Sequence, residues 1–190
     1  MHLFFPSLCL HCKQPTKQLV CENCSLFFEF LPKTEKNRAA CFLDFEAVST
    51  FVQMLRRDEA SRLRKAAVSF LIIQFAKLQW PLPDIVTSVP SRKLWIPNVS
   101  EDLAKRFARE LALPYKKLLK RKFGELPQAQ SPQFFIKERV CAKRILIIDD
   151  FMEREITLKA VANLLKKELG ATVYGLVISQ RVPLSHGHQA

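Results

Sequence analysis

The C-terminal third of the chain constrains the fold most. Residues 144–150 form an apolar run that ends in two acids, and residues 157–169 have the apolar spacing of a helix. Gly170 ends that helix, and residues 171–179 again have the composition of a strand. Strand, helix and strand in this order form the βαβ unit of a parallel sheet. The sequence therefore predicts an α/β fold with a parallel sheet flanked by helices.

The middle of the chain continues this alternation. Helices are predicted at residues 45–55, 60–78 and 101–113, and a buried strand at 84–90. Asn98 is placed to cap the third helix. The stretch from 124 to 133 contains two prolines and predicts a long loop without assignable secondary structure.

Four cysteines near the start form two C-x2-C pairs separated by eight residues. They are Cys9, Cys12, Cys21 and Cys24. Two such pairs supply the four thiolates of tetrahedral zinc, and because no coordination position stays open, the zinc is expected to be structural. A redox pair, which the duplication disfavours, and a knuckle that has lost its metal are the alternatives.

Composition predicts three parts in the chain. Residues 1–38 form the zinc knuckle and a polar connector, 39–182 form the α/β domain, and 183–190 form a frayed tail. The start has no basic segment followed by a long apolar run, so no signal peptide is expected. The apolar stretch 66–78 is too short for a membrane span. These features predict a cytoplasmic protein without membrane insertion.

The net charge predicts an anionic partner. Thirty Lys and Arg residues against 18 Asp and Glu residues give a net charge of +12. In the middle of the chain, cations alternate with aromatic residues, a mixture typical of single-stranded nucleic-acid binding. A solvated face over a Phe-rich core gives the same pattern. The candidate nucleic-acid contacts are Arg92, Lys93, Lys120, Arg121, Lys122 and Arg139.

Asp149 and Asp150 follow the apolar run directly. Ligands of open α/β sheets bind beyond the carboxyl ends of the strands, and this pair is expected at such an end. Two carboxylates can accept hydrogen bonds from ribose hydroxyls or hold Mg²⁺. The alternative is one helix-capping acid beside one solvated acid.

The acidic pair, followed by Thr157, Leu158 and a helix, resembles the phosphoribosyl diphosphate motif of type I phosphoribosyltransferases. The wider layout resembles the ComF family. The matching residues, in order, are the four cysteines, Val89-Pro90 with Arg92 and Lys93, Arg121, Gln128, Glu138-Arg139, 147–150 and Thr157-Leu158. The resemblance implies a phosphoribosyltransferase-like fold and a role in bacterial competence, with single-stranded DNA and competence or helicase proteins as partners. An active member would use phosphoribosyl diphosphate with Mg²⁺.

The phosphate loop departs from the family pattern. The Thr-Thr-Gly core of that loop is replaced here by Glu153, Arg154 and Glu155, and only Thr157 remains. Without glycine the backbone cannot approach a phosphate closely. Two carboxylates also repel it, since like charges ~4 Å apart cost about 1 kcal/mol in water and about 4 kcal/mol at an effective dielectric constant of about 20. Weakened or absent phosphoribosyl diphosphate binding is expected.

Three functions are compatible with these features. The first is a ComF-like protein that binds single-stranded DNA during uptake and has degenerate transferase activity. The second is an active phosphoribosyltransferase of nucleotide or nucleoside metabolism, in which Asp149 and Asp150 contact ribose and Mg²⁺ and Arg154 binds phosphate. The third is a scaffold whose zinc knuckle docks a partner protein.

Overall fold

The computed structural model describes residues 14–15, 37–43, 46–57, 61–91, 98–122, 134–152 and 156–180. The strands are β1 (Arg38–Leu43), β2 (Ile85–Ser88), β3 (Leu119–Arg121), β4 (Phe134–Ile136), β5 (Arg144–Met152) and β6 (Thr172–Gln180). The helices are α1 (Glu46–Leu55), α2 (Ser61–Leu78), α3 (Val99–Glu110) and α4 (Ile156–Leu169). The cysteines of the predicted knuckle and the C-terminal tail lie outside these ranges.

Four of the strands form one parallel sheet, in the order β1-β6-β5-β2. β5 and β6 pair along most of their length, from Arg144 opposite Thr172 to Met152 opposite Gln180. All four residues of β2 are buried, as expected where helices cover both faces of a parallel sheet. The predicted α/β class with a parallel sheet flanked by helices is confirmed.

Each face of the sheet has its own apolar core. Helices α1, α2 and α3 cover one face, where Leu146 and Ile178 pack with Phe107. Helix α4 covers the other, where Leu158 packs close to the backbone of Gly175. A Cβ at position 175 would lie 2.6 Å from Leu158 Cδ2, so the glycine permits this close approach of helix and sheet.

The predicted helices are present, with small shifts at their ends. The Asn98 side chain caps α3 by accepting a hydrogen bond from the Glu101 N–H at 3.2 Å. α3 was predicted to reach residue 113 but ends at Glu110. The reason is the backbone at Ala112, whose φ of 51° is left-handed and incompatible with a continuing helix. No helix in the described part of the chain is long and apolar enough to cross a membrane.

Strand β5 corrects the prediction for the acidic segment. The sequence placed Asp149 and Asp150 at the end of a strand, but β5 continues for two more residues to Met152. β6 is long enough to keep pairing there, with Ser179 opposite Phe151. Both acids are therefore residues of the strand, as predicted, but they lie two residues before its end rather than at it.

Strands β3 and β4 form a short antiparallel ribbon beside the sheet. Leu119 pairs with Ile136, Lys120 with Phe135 and Arg121 with Phe134. The inner side chains, including buried Leu119, pack on the core beneath α4. Neither strand was predicted.

Candidate functional site

The acidic pair lies on β5, an interior strand of the sheet, and is held by two side chains, one just after α1 and one in the first turn of α3. Arg56, directly after α1, donates from Nε to Asp150 Oδ2 at 2.9 Å. Ser100, in the first turn of α3, donates from Oγ to Asp149 Oδ1 at 2.6 Å and lies 3.3 Å from Asp150 Oδ1. The Asp150 N–H also donates to Asp149 Oδ1, at 3.0 Å. The two carboxyl groups therefore already have partners within the protein.

Burial and mutual repulsion disfavour a second negative charge on this pair. Part of Asp149 remains exposed, but its carboxyl group is enclosed by protein. Loss of hydration, together with the charge of Asp150, raises the pKa of Asp149 well above its usual range, and the hydrogen bond from Ser100 opposes this only in part. Asp150, with a side chain 12% exposed, has the Arg56 guanidinium as its counter-charge.

The start of α3 contributes to the same site. Its first turn contains buried Val99 and Ser100, and the positive end of the helix dipole lies beside the carboxyl groups. The position of Ser100 follows from the Asn98 cap, which fixes where the helix begins. The Asn98 cap thus fixes the position of the Ser100 hydroxyl, which contacts both acids.

The acidic pair does not fit a bound divalent cation in this arrangement. Carboxylate oxygens are the ligands that Mg²⁺ prefers, but Arg56 occupies the position of the counter-cation at Asp150. A metal ion would have to displace this guanidinium. Among the residues that the structure describes, no group of three or more His, Cys, Asp or Glu side chains could hold a metal ion.

Several predicted site residues lie outside the described parts of the chain. They are Cys9, Cys12, Cys21, Cys24, Arg92, Lys93, Glu153, Arg154 and Glu155. Thr157, the remaining residue of the predicted phosphate loop, is half-buried in the first turn of α4. The predictions for the knuckle and for most of the phosphate loop stay predictions.

The β3–β4 ribbon brings predicted cations together with an exposed aromatic ring. Lys120 lies directly opposite Phe135, which is 47% exposed, so both side chains share one face. Strand alternation assigns Lys122 and Lys137 to the same side, and both are exposed. We call these four residues the outer face of the ribbon. Arg121 belongs to the opposite side, where its guanidinium lies 5.3 Å from the centre of the Phe134 ring.

The outer face differs in charge from the neighbouring basic segment. Lys116 is paired with Glu138, and Lys117 is paired with Glu101 at 2.7 Å. Within the described residues, no carboxylate pairs with the three lysines of the outer face. The ribbon therefore presents positive charge that no carboxylate of the described residues neutralises.

No protein-family model and no curated protein matches the chain. Solved structures to which it is similar are phosphoribosyltransferases. A purine phosphoribosyltransferase from Pyrococcus horikoshii is 22% identical, covering 62% of this chain and 73% of that one, with a TM-score of 0.45. The Helicobacter pylori xanthine-guanine-hypoxanthine enzyme is 12% identical over 65% and 86%, with a TM-score of 0.49. An adenine phosphoribosyltransferase from Thermoanaerobacter pseudethanolicus is 14% identical over 85% and 99%, at 0.48. At these identities and scores, the similarity by itself decides neither activity nor ligand.

Sequence reasoning did not identify Arg56 and Ser100. Ser100 lies just after the predicted cap, so the sequence predicts its position at the start of the helix. It does not predict the two carboxyl groups that Ser100 contacts. Arg56 is one of 30 basic residues and belongs to no motif. The only available signal was general: a buried carboxylate requires a charged or hydrogen-bonding partner.

Proposed function

We propose that the chain is a ComF-like protein with a phosphoribosyltransferase-like fold that binds single-stranded DNA in competence-type uptake, with degenerate or absent transferase activity. The outer face of the ribbon carries this proposal. Its three lysines and exposed Phe135 combine the two elements of single-strand recognition, cations for phosphates and an aromatic platform for bases.

The arrangement of the acidic pair supports the second half of the proposal. A transferase of this type would need Asp149 and Asp150 free to meet a sugar or a metal ion. Here Ser100 donates to one acid and Arg56 to the other. The substituted loop sequence between Met152 and Ile156 works in the same direction, because it contains two acids and no glycine.

One observation favours an active phosphoribosyltransferase instead. The acidic pair lies at the carboxyl edge of an interior parallel strand, followed by a helix with Thr157 in its first turn. That is a ligand-binding position in α/β folds. Displacement of Arg56 by a substrate would restore this alternative.

Fluorescence anisotropy with a labelled single strand of about 15 nucleotides tests the proposal, over a series of salt concentrations. The ribbon variant replaces Lys120, Lys122 and Lys137 with Gln. The control variant replaces Lys105, Lys116 and Lys117 with Gln, which removes the same charge from lysines that already pair with acids. We expect the ribbon variant to bind at least about tenfold more weakly and its salt slope to fall by about 2, at about 0.7 per lost phosphate contact.

Equal losses in both variants would reject the ribbon as the interface. No binding by the folded wild-type protein would reject the function. Calorimetry with phosphoribosyl diphosphate and Mg²⁺ examines the alternative, and saturable binding that is lost in Asp149→Asn would favour the transferase.

A further inference from the structure

A cleft lies between β4 and the C-terminal half of α4, and side chains from both sides of the ribbon line it. Its volume is about 440 Å³. The apolar part of its lining consists of Phe134, Phe135, Ile136 and Leu164, of which Phe135 is exposed and the other three are half-buried. The charged part consists of Lys137, Arg139 and Glu168.

The size and composition of the cleft suit one planar ring system. Small-molecule sites usually have volumes of about 300–1,000 Å³ and an apolar lining with a few polar groups. At about 440 Å³ this cleft is near the small end of that range, too small for a docked helix. The excess of cations over anions in its lining favours a ligand that also has a negative charge.

Glu168 is the acceptor that the cleft offers. It pairs with Arg139 at 3.3 Å, but the Arg139 side chain is 77% exposed, so this contact is weak and readily exchanged. Glu168 also lies in the last turn of α4, where the helix dipole disfavours a carboxylate. An N–H donor from a ligand would therefore be stabilising there.

We propose that the cleft receives one base of the bound single strand and prefers bases with an exocyclic amino group over thymine. The inference rests on the proposed function. Lys137 links the two surfaces, because it belongs to the outer face of the ribbon and also lines the cleft. A strand that crosses the outer face can thus place a neighbouring base against Leu164, with its amino group at Glu168.

The first experiment distinguishes the contribution of the bases to binding from that of the sugar-phosphate backbone. Wild-type protein and Leu164→Phe are titrated with an oligo(dC) and with an abasic strand of the same length, which keeps the phosphates. Phenylalanine fills the cleft without changing charge or the outer face. We expect Leu164→Phe to bind oligo(dC) about five- to tenfold more weakly and the abasic strand as the wild type does. Circular dichroism and thermal denaturation check that the variant is folded.

The second experiment tests the base preference without filling the cleft. Wild-type protein should bind oligo(dC) several-fold more tightly than oligo(dT). The Glu168→Leu variant should bind the two oligonucleotides with equal affinity. Glu138→Leu, which removes a paired acid outside the cleft, is the control and should keep the preference for oligo(dC). The ratio of the two affinities cancels any general gain in affinity caused by the lost negative charge.

Unchanged oligo(dC) binding by Leu164→Phe, or an oligo(dC) to oligo(dT) ratio near one in the wild type, overturns the cleft inference. Salt-dependent binding that remains in those samples leaves the proposed function standing. If the wild type binds neither oligonucleotide, the proposed function fails, and the cleft inference fails with it.

Discussion

Asp150 is where the contacts of the acidic site converge. Its side chain is 12% exposed, and it receives the guanidinium of Arg56 on one oxygen while Ser100 lies beside the other. A carboxylate with so little access to water depends on such partners. The Asp150 carboxyl group therefore links the residue after α1 and the first turn of α3 to β5.

Loss of the Arg56 guanidinium should destabilise the protein. Arg56→Met keeps much of the apolar stem and leaves Asp150 without its counter-charge. Because Arg56 is itself 50% exposed, we expect a modest loss, about 1–2 kcal/mol in the free energy of unfolding at neutral pH. Urea denaturation measures it.

Arg57→Met is the matched control, since Arg57 is exposed and has no ion pair within the described residues. A double-mutant cycle with Asp150→Asn should show that most of the Arg56 effect disappears once the charge is gone. Equal effects of the Arg56 and Arg57 variants would show that the ion pair contributes nothing to stability.

Asp149→Asn should stabilise the protein at high pH. The pKa of Asp149 is raised in the folded state, so the contribution of this group to stability is greatest below the unfolded pKa of about 3.9. It falls as the pH rises through the folded pKa, by at most about 1.4 kcal/mol per pH unit. Asparagine keeps the acceptor oxygen for Ser100 and removes the charge. The gain over wild type should grow from pH 4 to pH 9 in denaturation series.

Asp84→Asn should destabilise the protein at neutral and high pH, and its loss of stability relative to wild type should shrink as the pH falls. The hydrogen bonds and charge of Arg144, with the Lys143 N–H, hold the pKa of Asp84 below its usual value. Its contribution to stability is present above the unfolded pKa and is lost as the pH falls.

A loss of stability in Asp149→Asn at pH 8 would contradict the assignment for Asp149.

At the scale of elements, the contact between α4 and β6 depends on Gly175. Gly175→Ala places a methyl group 2.6 Å from Leu158 Cδ2, so the helix or the leucine must move. We expect destabilisation of about 1–3 kcal/mol, the usual cost of overpacking a core. Thermal denaturation should show that Leu158→Val in the same chain recovers part of this loss. Additive effects of the two substitutions would show that the two sites are not in contact.

The sequence predicted those elements whose local pattern matches their surroundings. β5, α4 and β6 were readable because a continuous apolar run, a helical period and Gly170 follow one another. β1 was missed because Ala39, Ala40 and Cys41 have little strand propensity. These small residues form a strand since the backbone pairs with β6 and their side chains fit a fully buried edge.

The ribbon and the partners of the acidic pair were missed for a different reason. β3 and β4 are three residues each, too short for a periodicity, and their pairing spans the predicted loop. Asp149 and Asp150 were readable from their position after an apolar run. Their contacts with Ser100 and Arg56 join residues about 50 and 94 positions apart, which no local pattern contains.

At the scale of the whole molecule, the predicted zinc knuckle can be tested by the zinc content of the protein. Purified protein should contain one zinc ion per chain by inductively coupled plasma mass spectrometry, and Cys12→Ser should lose it. Cys141→Ser is the control, because Cys141 is an exposed thiol outside the two pairs and should leave the zinc content unchanged. Zinc-free wild-type protein, purified without chelators, would contradict the prediction.

The strand order also determines how the protein can assemble as it is synthesised. β6 lies between β1 and β5, so β1 has no partner among the described strands until β6 has left the ribosome. Until then the buried residues of β1 and the helices that follow it remain without their sheet. For most of synthesis, the pairing of β1 with β6 therefore cannot form, and this is the period in which chaperone binding would matter most.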